Sequence, residues 1–120
     1  LDWTRAWKNE GLVNYYRGLI ALRMQMPGMQ DKTANAEKRV LWVKELAKDC
    51  VMACLDNKGG KWQQAILIFN CSDRSGYAQL PAGTWQILAD AEDSFRWQQE
   101  SAVTETIKVP QWSAMILGLQ

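Results

Sequence analysis

The chain has 120 residues, 14 Lys and Arg against 13 Asp and Glu, a formal net charge of +1 and no histidine. That length fits one domain whose core needs no disulfide staples. Balanced, scattered charge argues against a nucleic-acid footprint or an acidic tail, no apolar run approaches the ~20 residues of a membrane span, and the missing imidazole removes the commonest general base and metal ligand.

The first predicted element lies in LDWTRAWKNEGLVNYYRGLIALRMQMPGM, where a helical apolar pattern starts almost at once with no initiator Met. A piece of a longer chain would begin this way. There is no signal peptide, which for a fragment leaves the parent's location open. Asn9 suits an N-cap and Glu10 the positive end of a helix over residues 10–26. Leu12, Tyr15, Tyr16, Leu19, Leu22 and Met26 form an apolar stripe that Val13, Ile20 and Met24 widen. Asn14, Arg17 and Gln25, with small Gly18 and Ala21, mark a narrower polar side. Pro27-Gly28 ends the helix. A stripe this wide exceeds what one sheet face needs and predicts burial on more than one side.

Residues 29–48 are ambiguous: the pattern allows a short helix from Asn35 and a strand near Arg39 to Val43, while Val43, Leu46 and Ala47 also fit a helix. From Cys50 the period becomes two, with Val51, Ala53 and Leu55 facing one way. Asn57 to Gly60 is turn chemistry. QAILIFN reads as a central strand covered on both faces. After the SDRSG turn come a short YAQL strand, a PAG turn and TWQILAD, which places Trp85, Ile87 and Ala89 on one face. A polar loop with Phe95 and Trp97 follows. Then Val103, Ile107 and Val109 alternate with Thr104, Thr106 and Lys108, Glu105 falling out of pattern, before Pro110 and a closing SAMILGL strand. Turn signals every ~8–12 residues predict an antiparallel sandwich or barrel. The fold class is thus α+β by content and mainly β.

Cys50 and Cys54 on one strand would lie roughly 13 Å apart, too far to bridge. Cys71 could pair with either, but reduced, buried thiols are the expected state, a usage that leans cytoplasmic. The seven Trp admit two readings: carbohydrate stacking, or core packing, which is favoured for any one of them. Among acids, Asp90, Glu92 and Asp93, with Glu100 beyond, are the candidates for a glycosidase-like carboxylate pair. Nothing nearby would desolvate one, so a solvated loop is expected. Asp73 reads as a turn former, and Asp49 and Asp56 as strand boundaries. Metal-ligand spacing is absent, Gly59-Gly60 is too weak for a phosphate cradle, and a cysteine without histidine lacks its usual base. The residues themselves predict no catalytic group, no metal and no cofactor.

LDW followed by NEGLVNYYRGLIALRMQMP resembles the end of the catalytic barrel in the type I pullulanases, α-1,6 debranching enzymes of glycoside hydrolase family 13, the α-amylase family. There an (N)xxDW segment lies in the loop after the eighth barrel strand, and an LVxYYxGLIxLRxxxP helix closes the barrel. ILIFN, LPAGTWQILAD, VTETIKVP and SAMILGL look like the family's C-terminal all-β domain. The resemblance implies residues 1–28 as the remnant of a (β/α)8 barrel, its last helix included, and residues 29–120 as an antiparallel β-sandwich of the amylase C-terminal type. It implies a parent that is a retaining hydrolase of branch linkages in pullulan, starch or glycogen-type α-glucans. The Asp nucleophile, Glu acid/base and second Asp of that family sit on barrel strand ends, which would lie upstream of Leu1, so no catalytic residue carries over. Asp2 and Trp3 alone match a stretch near the substrate cleft.

The resemblance therefore implies a non-catalytic, structural C-terminal domain whose partners are the missing barrel and, in the parent, α-glucan, with neither nucleic acid nor membrane. Such a fragment would self-associate through, or leave bare, part of the 10–26 helix. Two other readings stand beside this one. A glucan-binding module would offer Trp97, Trp62 or Trp112 on a shared plane, and an interaction domain would have no link to sugar. The parent's location could be cytoplasmic, secreted or cell-surface.

Overall fold

The structure, a computed structural model, describes residues 10–26 and 39–120. The expectations placed on Asp2, Trp3, Asn9, Pro27-Gly28 and the short helix from Asn35 lie outside the described residues, as do the side chains of Glu10 and Leu12.

Helix α1 spans Glu10–Arg23, three residues shorter than its pattern. The Gln25 and Met26 N–H groups donate to the Leu22 and Arg23 carbonyls at 2.9 and 3.0 Å. These i→i+3 bonds tighten the last turn and satisfy two of the carbonyls that every helix end leaves open. Seven strands follow: β1 (Val40–Ala47), β2 (Cys50–Asp56), β3 (Gln64–Asn70), β4 (Gly76–Gln79), β5 (Trp85–Ala89), β6 (Thr106–Val109) and β7 (Ser113–Leu119). A 3-10 turn, Arg96–Gln98, sits between β5 and β6. β1, β2, β3, β7 and β5 form one sheet in that order, and β4 pairs with β6 in a second. Every pairing is antiparallel.

The first strand is longer than its pattern. Val43, Leu46 and Ala47, which fit a helix by spacing, continue the strand instead, because Val43 and Ala47 have partners at Ala53 and Cys50. Lys48-Asp49 closes the hairpin, with Asp49 at φ 63°, a conformation Asp tolerates. As an edge strand β1 would invite pairing. Irregularities at Val40/Trp42 and Glu45/Ala47 and a lysine, Lys44, whose ammonium lies 5.6 Å from the Trp42 ring centre, blunt that edge.

The main core lies between the sheets. Met52, Cys54, Ile66, Ile68, Met115 and Leu117 of the larger sheet meet Ala78, Leu80, Ile107 and Val109 of the β4–β6 ribbon, with Trp85 fully buried at the centre. Register enforces the layer, since Met52, Ile68 and Met115 form one cross-strand row and Cys54, Ile66 and Leu117 the next. The interleaved row of Ala53, Leu67 and Ile116 must then face the opposite side. β3 is therefore apolar on both faces, as its continuous run predicts.

Three expectations change. Ala89 does not share a face with Trp85 and Ile87: the pairing slips between Ile87 and Ala89, so Ala89 opposes Ile116 and joins the outer layer. Val103 is not part of one strand with Ile107 and Val109. Glu105 adopts φ 66°, which breaks the strand there and leaves Val103 in an isolated bridge to Trp85. All three cysteines are free, but Cys71 is exposed rather than buried, because it follows β3 into the turn.

Burial and the nearby Asp56 carboxylate push the Cys54 thiol up to about 11 from its ordinary 9.0. A neutral thiol retained by the folded state alone makes the unfolded state the better acid. Stability is whole below pH 9 and falls as the pH rises toward 11, by on the order of 2–3 kcal/mol. Urea-unfolding midpoints compared at either end of that window should drop more in this chain than in Cys54→Ala, which lacks the group.

Candidate functional site

The outer face of the large sheet carries a second apolar layer. Ala65, Leu88 and Ala89 of the strands and Trp62 of the β2–β3 loop meet Leu22 of α1 and Met26 of the turn that follows it, with Leu19, Leu55, Trp97 and Ile116 around them. Trp62 lies against β7: a Cβ on Gly118 would sit 2.5 Å from its Cγ. Its indole N–H donates to Gln86 Oε1 at 3.0 Å, and the Gln86 amide in turn donates to the Trp97 and Gln99 carbonyls. Every polar atom of that buried side chain is thus used.

The helix is pinned at its other end by the loop after β5. The Tyr15 hydroxyl donates to the Asp90 carbonyl at 2.6 Å, and burial followed by the Asp90 charge raises the phenol's pKa. Gly18 is buried, contrary to its place on the expected polar side. A Cβ there would lie 2.0 Å from Ser94 Oγ and 2.7 Å from Ser94 Cβ. The missing side chain lets helix and loop touch.

The candidate carboxylates build this loop. Asp90 Oδ1 accepts the Glu92 and Asp93 N–H groups, Asp93 Oδ1 accepts the Phe95 N–H, and Asp90 Oδ2 pairs with Arg96 Nε at 2.5 Å. Asp90 and Asp93 are turn-forming groups rather than an acid and base facing a shared cleft. Glu92 is exposed, with one oxygen 3.6 Å from Arg96, and Glu100 is exposed in the same connection beyond the 3-10 turn. Among the described residues no group of three or more acids and cysteines is placed to hold a metal ion. No helix among them is long and apolar enough to cross a membrane.

The apolar circumference of α1 is consequently divided. Tyr15, Leu19, Leu22 and Met26 turn toward the sandwich, whereas Tyr16, Ile20 and Met24 are 57, 62 and 71% exposed. Beside the bare stripe, a cleft of about 370 Å³ runs between helix and sheet, lined by Tyr16, Ile20, Leu67, Phe69, Ala114 and Ile116 among others. Phe69, Val51 and Val43 continue the exposed apolar surface across the sheet. Isolated exposed hydrophobics need no explanation, but a contiguous set on two adjoining elements marks a surface built to be covered.

The three indoles of the sugar-binding reading do not share a surface. Trp62 is 2% exposed, Trp97 is half-buried, and Trp112 is exposed. Asp2 and Trp3, the two residues carried over from the resemblance, lie outside the described residues.

No protein-family model matches the chain. Solved structures do match. A pullulanase from Bacillus acidopullulyticus superposes with a TM-score of 0.84 at 26% identity, over 98% of this chain and 15% of its own. A type I pullulanase from Bacillus subtilis str. 168, complexed with maltose, gives 0.83 at 27% identity, over 99% of this chain and 17% of its own. The chain is similar to one segment of the type I pullulanases. An Anoxybacillus sp. LM18-11 pullulanase complexed with maltotriose gives 0.82 at 17% identity, which shows the shared fold alone. The pullulanase-like chain spans only 15 to 17% of the length of these three neighbours.

Proposed function

We propose that the chain is the non-catalytic C-terminal part of a longer pullulanase-like enzyme, with residues 1–28 closing a (β/α)8 barrel and residues 29–120 forming a β-sandwich that braces it. The parent hydrolyses α-1,6 branch linkages of pullulan, starch or glycogen-type glucans. The preceding barrel supplies the catalytic Asp, Glu and Asp. Asp2 and Trp3 bind substrate at the open side of that barrel, and no residue of this chain is catalytic.

The observation that carries this reading is the divided helix. A helix that serves only the sandwich has no use for Tyr16, Ile20 and Met24 in water. A helix wedged between two bodies needs apolar residues on both sides. Covering the stripe contributes roughly 1.5–3 kcal/mol for each large side chain fully buried. A multi-indole glucan module is not favoured, because Trp62 and Trp97 serve the layer under the helix.

The isolated chain should release no reducing ends from pullulan, while the parent, read from the coding sequence before Leu1, should do so. A parent without a barrel carrying the three acids would sink the proposal. In solution the isolated chain should self-associate through the bare stripe. Ile20→Glu should shift its sedimentation toward monomer without changing its unfolding midpoint, because Ile20 lies outside the sandwich contact. In the parent the same variant should lower stability by about 2 kcal/mol. An Ile20→Glu parent as stable as the unaltered enzyme would mean that the stripe does not face the barrel.

A further inference from the structure

Trp112 is the one described tryptophan that serves neither core. It sits in the β6–β7 turn at φ 50°, with 67% of its surface exposed. A bulky residue in the left-handed region is strained where Gly or Asn would be at ease, and an exposed indole recovers nothing through burial. Packing therefore gives no reason for a ring at this position.

Its surroundings do. Trp112 lines a groove of about 610 Å³ between the β1–β2 turn and the turn after β3. A single buried side chain fixes the groove's walls. Asn70 Nδ2 donates to the carbonyls of Arg74, Val109 and Pro110, and its Oδ1 accepts the Ser72 N–H and hydroxyl. Trp112 itself donates its backbone N–H to the Ser72 carbonyl at 3.1 Å, joining the two turns directly. Lys48, Asp49, Asp73 and Arg74 stand exposed along the same groove, two charges of each sign, and among the described residues none of these side chains is engaged. An exposed flat ring, a free carboxylate and a free guanidinium are thus held on a framework that needs no reorganisation to receive a ligand.

We propose that this groove binds one pyranose ring of a neutral saccharide, stacked on Trp112. The ring's C–H face meets the indole, while its hydroxyls donate to Asp73 and accept from Arg74. A phosphorylated ligand would set its charge against Asp49 and Asp73 as much as with Lys48 and Arg74, and an apolar peptide would strip water from the charged groups without replacing it. A polyol with one apolar face satisfies all three. Naming the sugar as a glucose unit of an α-glucan rests on the function proposed above.

The test is a titration of the isotope-labelled chain with maltotriose, following its indole N–H resonances. A saturable shift of the Trp112 signal is expected. Arg74→Ala should weaken binding about fivefold. Trp112→Gly should abolish it while unfolding at the same or a higher urea concentration, since glycine relieves the turn. Absence of a saturable shift, binding that survives in Trp112→Gly, or a shift confined to another indole would each overturn the site. Pullulan hydrolysis by the parent is scored separately, so loss of this site leaves that proposal standing, and the reverse also holds.

Discussion

Gly18→Ala should destabilise the chain by about 2–4 kcal/mol, although alanine is the better helix former by roughly 1 kcal/mol. The sign is set by what the new methyl meets. Ser94 Oγ, 2.0 Å from the added Cβ, can rotate away, but Ser94 Cβ at 2.7 Å and Phe95 Cδ2 at 2.9 Å are held by the loop. That loop is stiff, because Asp90 and Asp93 cap its N–H groups and Arg96 locks Asp90. The helix must therefore lift, which draws Leu22 and Met26 off Trp62 and Leu88 and exposes apolar area worth roughly 1.5–3 kcal/mol per side chain. Overpacking in general costs about 1–3 kcal/mol, and lifting a helix belongs at the upper end. Ser94→Gly added to Gly18→Ala should recover most of the loss, a coupling that a double-mutant cycle in urea measures directly. A Gly18→Ala chain as stable as its parent would mean that helix and loop do not touch as described.

The same contact shows what a sequence carries and what it hides. The continuous apolar run of QAILIFN placed a central strand, because a strand covered on both faces has no polar side to show, and SAMILGL was legible as the closing strand. The width of the stripe on α1 predicts burial on more than one side, and the structure covers the side that faces the sandwich. Its division between Tyr15–Leu19–Leu22–Met26 and Tyr16–Ile20–Met24 depends on where the loop after β5 lands, and no local pattern encodes that. A lone glycine inside a helical pattern was the available signal for Gly18, since it weakens a helix unless close approach needs it. Reading it as part of the polar side followed from its neighbours Asn14 and Arg17. The slip between Ile87 and Ala89 was hidden for a related reason, since a bulge is chosen by the facing strand, whereas the break at Glu105 showed only as a residue out of the alternating pattern. Ala89 could be placed only once Ile116 was known to oppose it. Asp90 and Asp93 looked like solvated acids because their partners are backbone N–H groups within three residues, which composition does not display.

Asn70 is the residue whose loss should be felt most beyond the helix. It closes β3 while 1% exposed, and its amide reaches three carbonyls on two different turns. Asn70→Ala removes the side-chain donor from the buried Val109 carbonyl, while the part-buried Arg74 and Pro110 carbonyls keep the Ser72 and Ser113 hydroxyls. At about 0.5–1.5 kcal/mol for each hydrogen bond, with further cost for buried groups left unsatisfied, the loss should reach about 3–4 kcal/mol in urea unfolding. Asn70→Asp separates shape from chemistry. The carboxylate keeps the acceptor for Ser72 but turns an oxygen toward three carbonyl oxygens, so at neutral pH it should destabilise at least as much as alanine. Protonation restores one donor. Repulsion by the carbonyls raises the folded-state pKa of that carboxyl, so the unfolded chain gives up the proton first and stability falls as the pH rises above the ordinary Asp value of about 3.9. The deficit of Asn70→Asp should therefore shrink on acidification, whereas that of Asn70→Ala should track the unaltered chain. An Asn70→Asp deficit that does not vary with pH would place the side chain in water and remove the framework on which Trp112 is held.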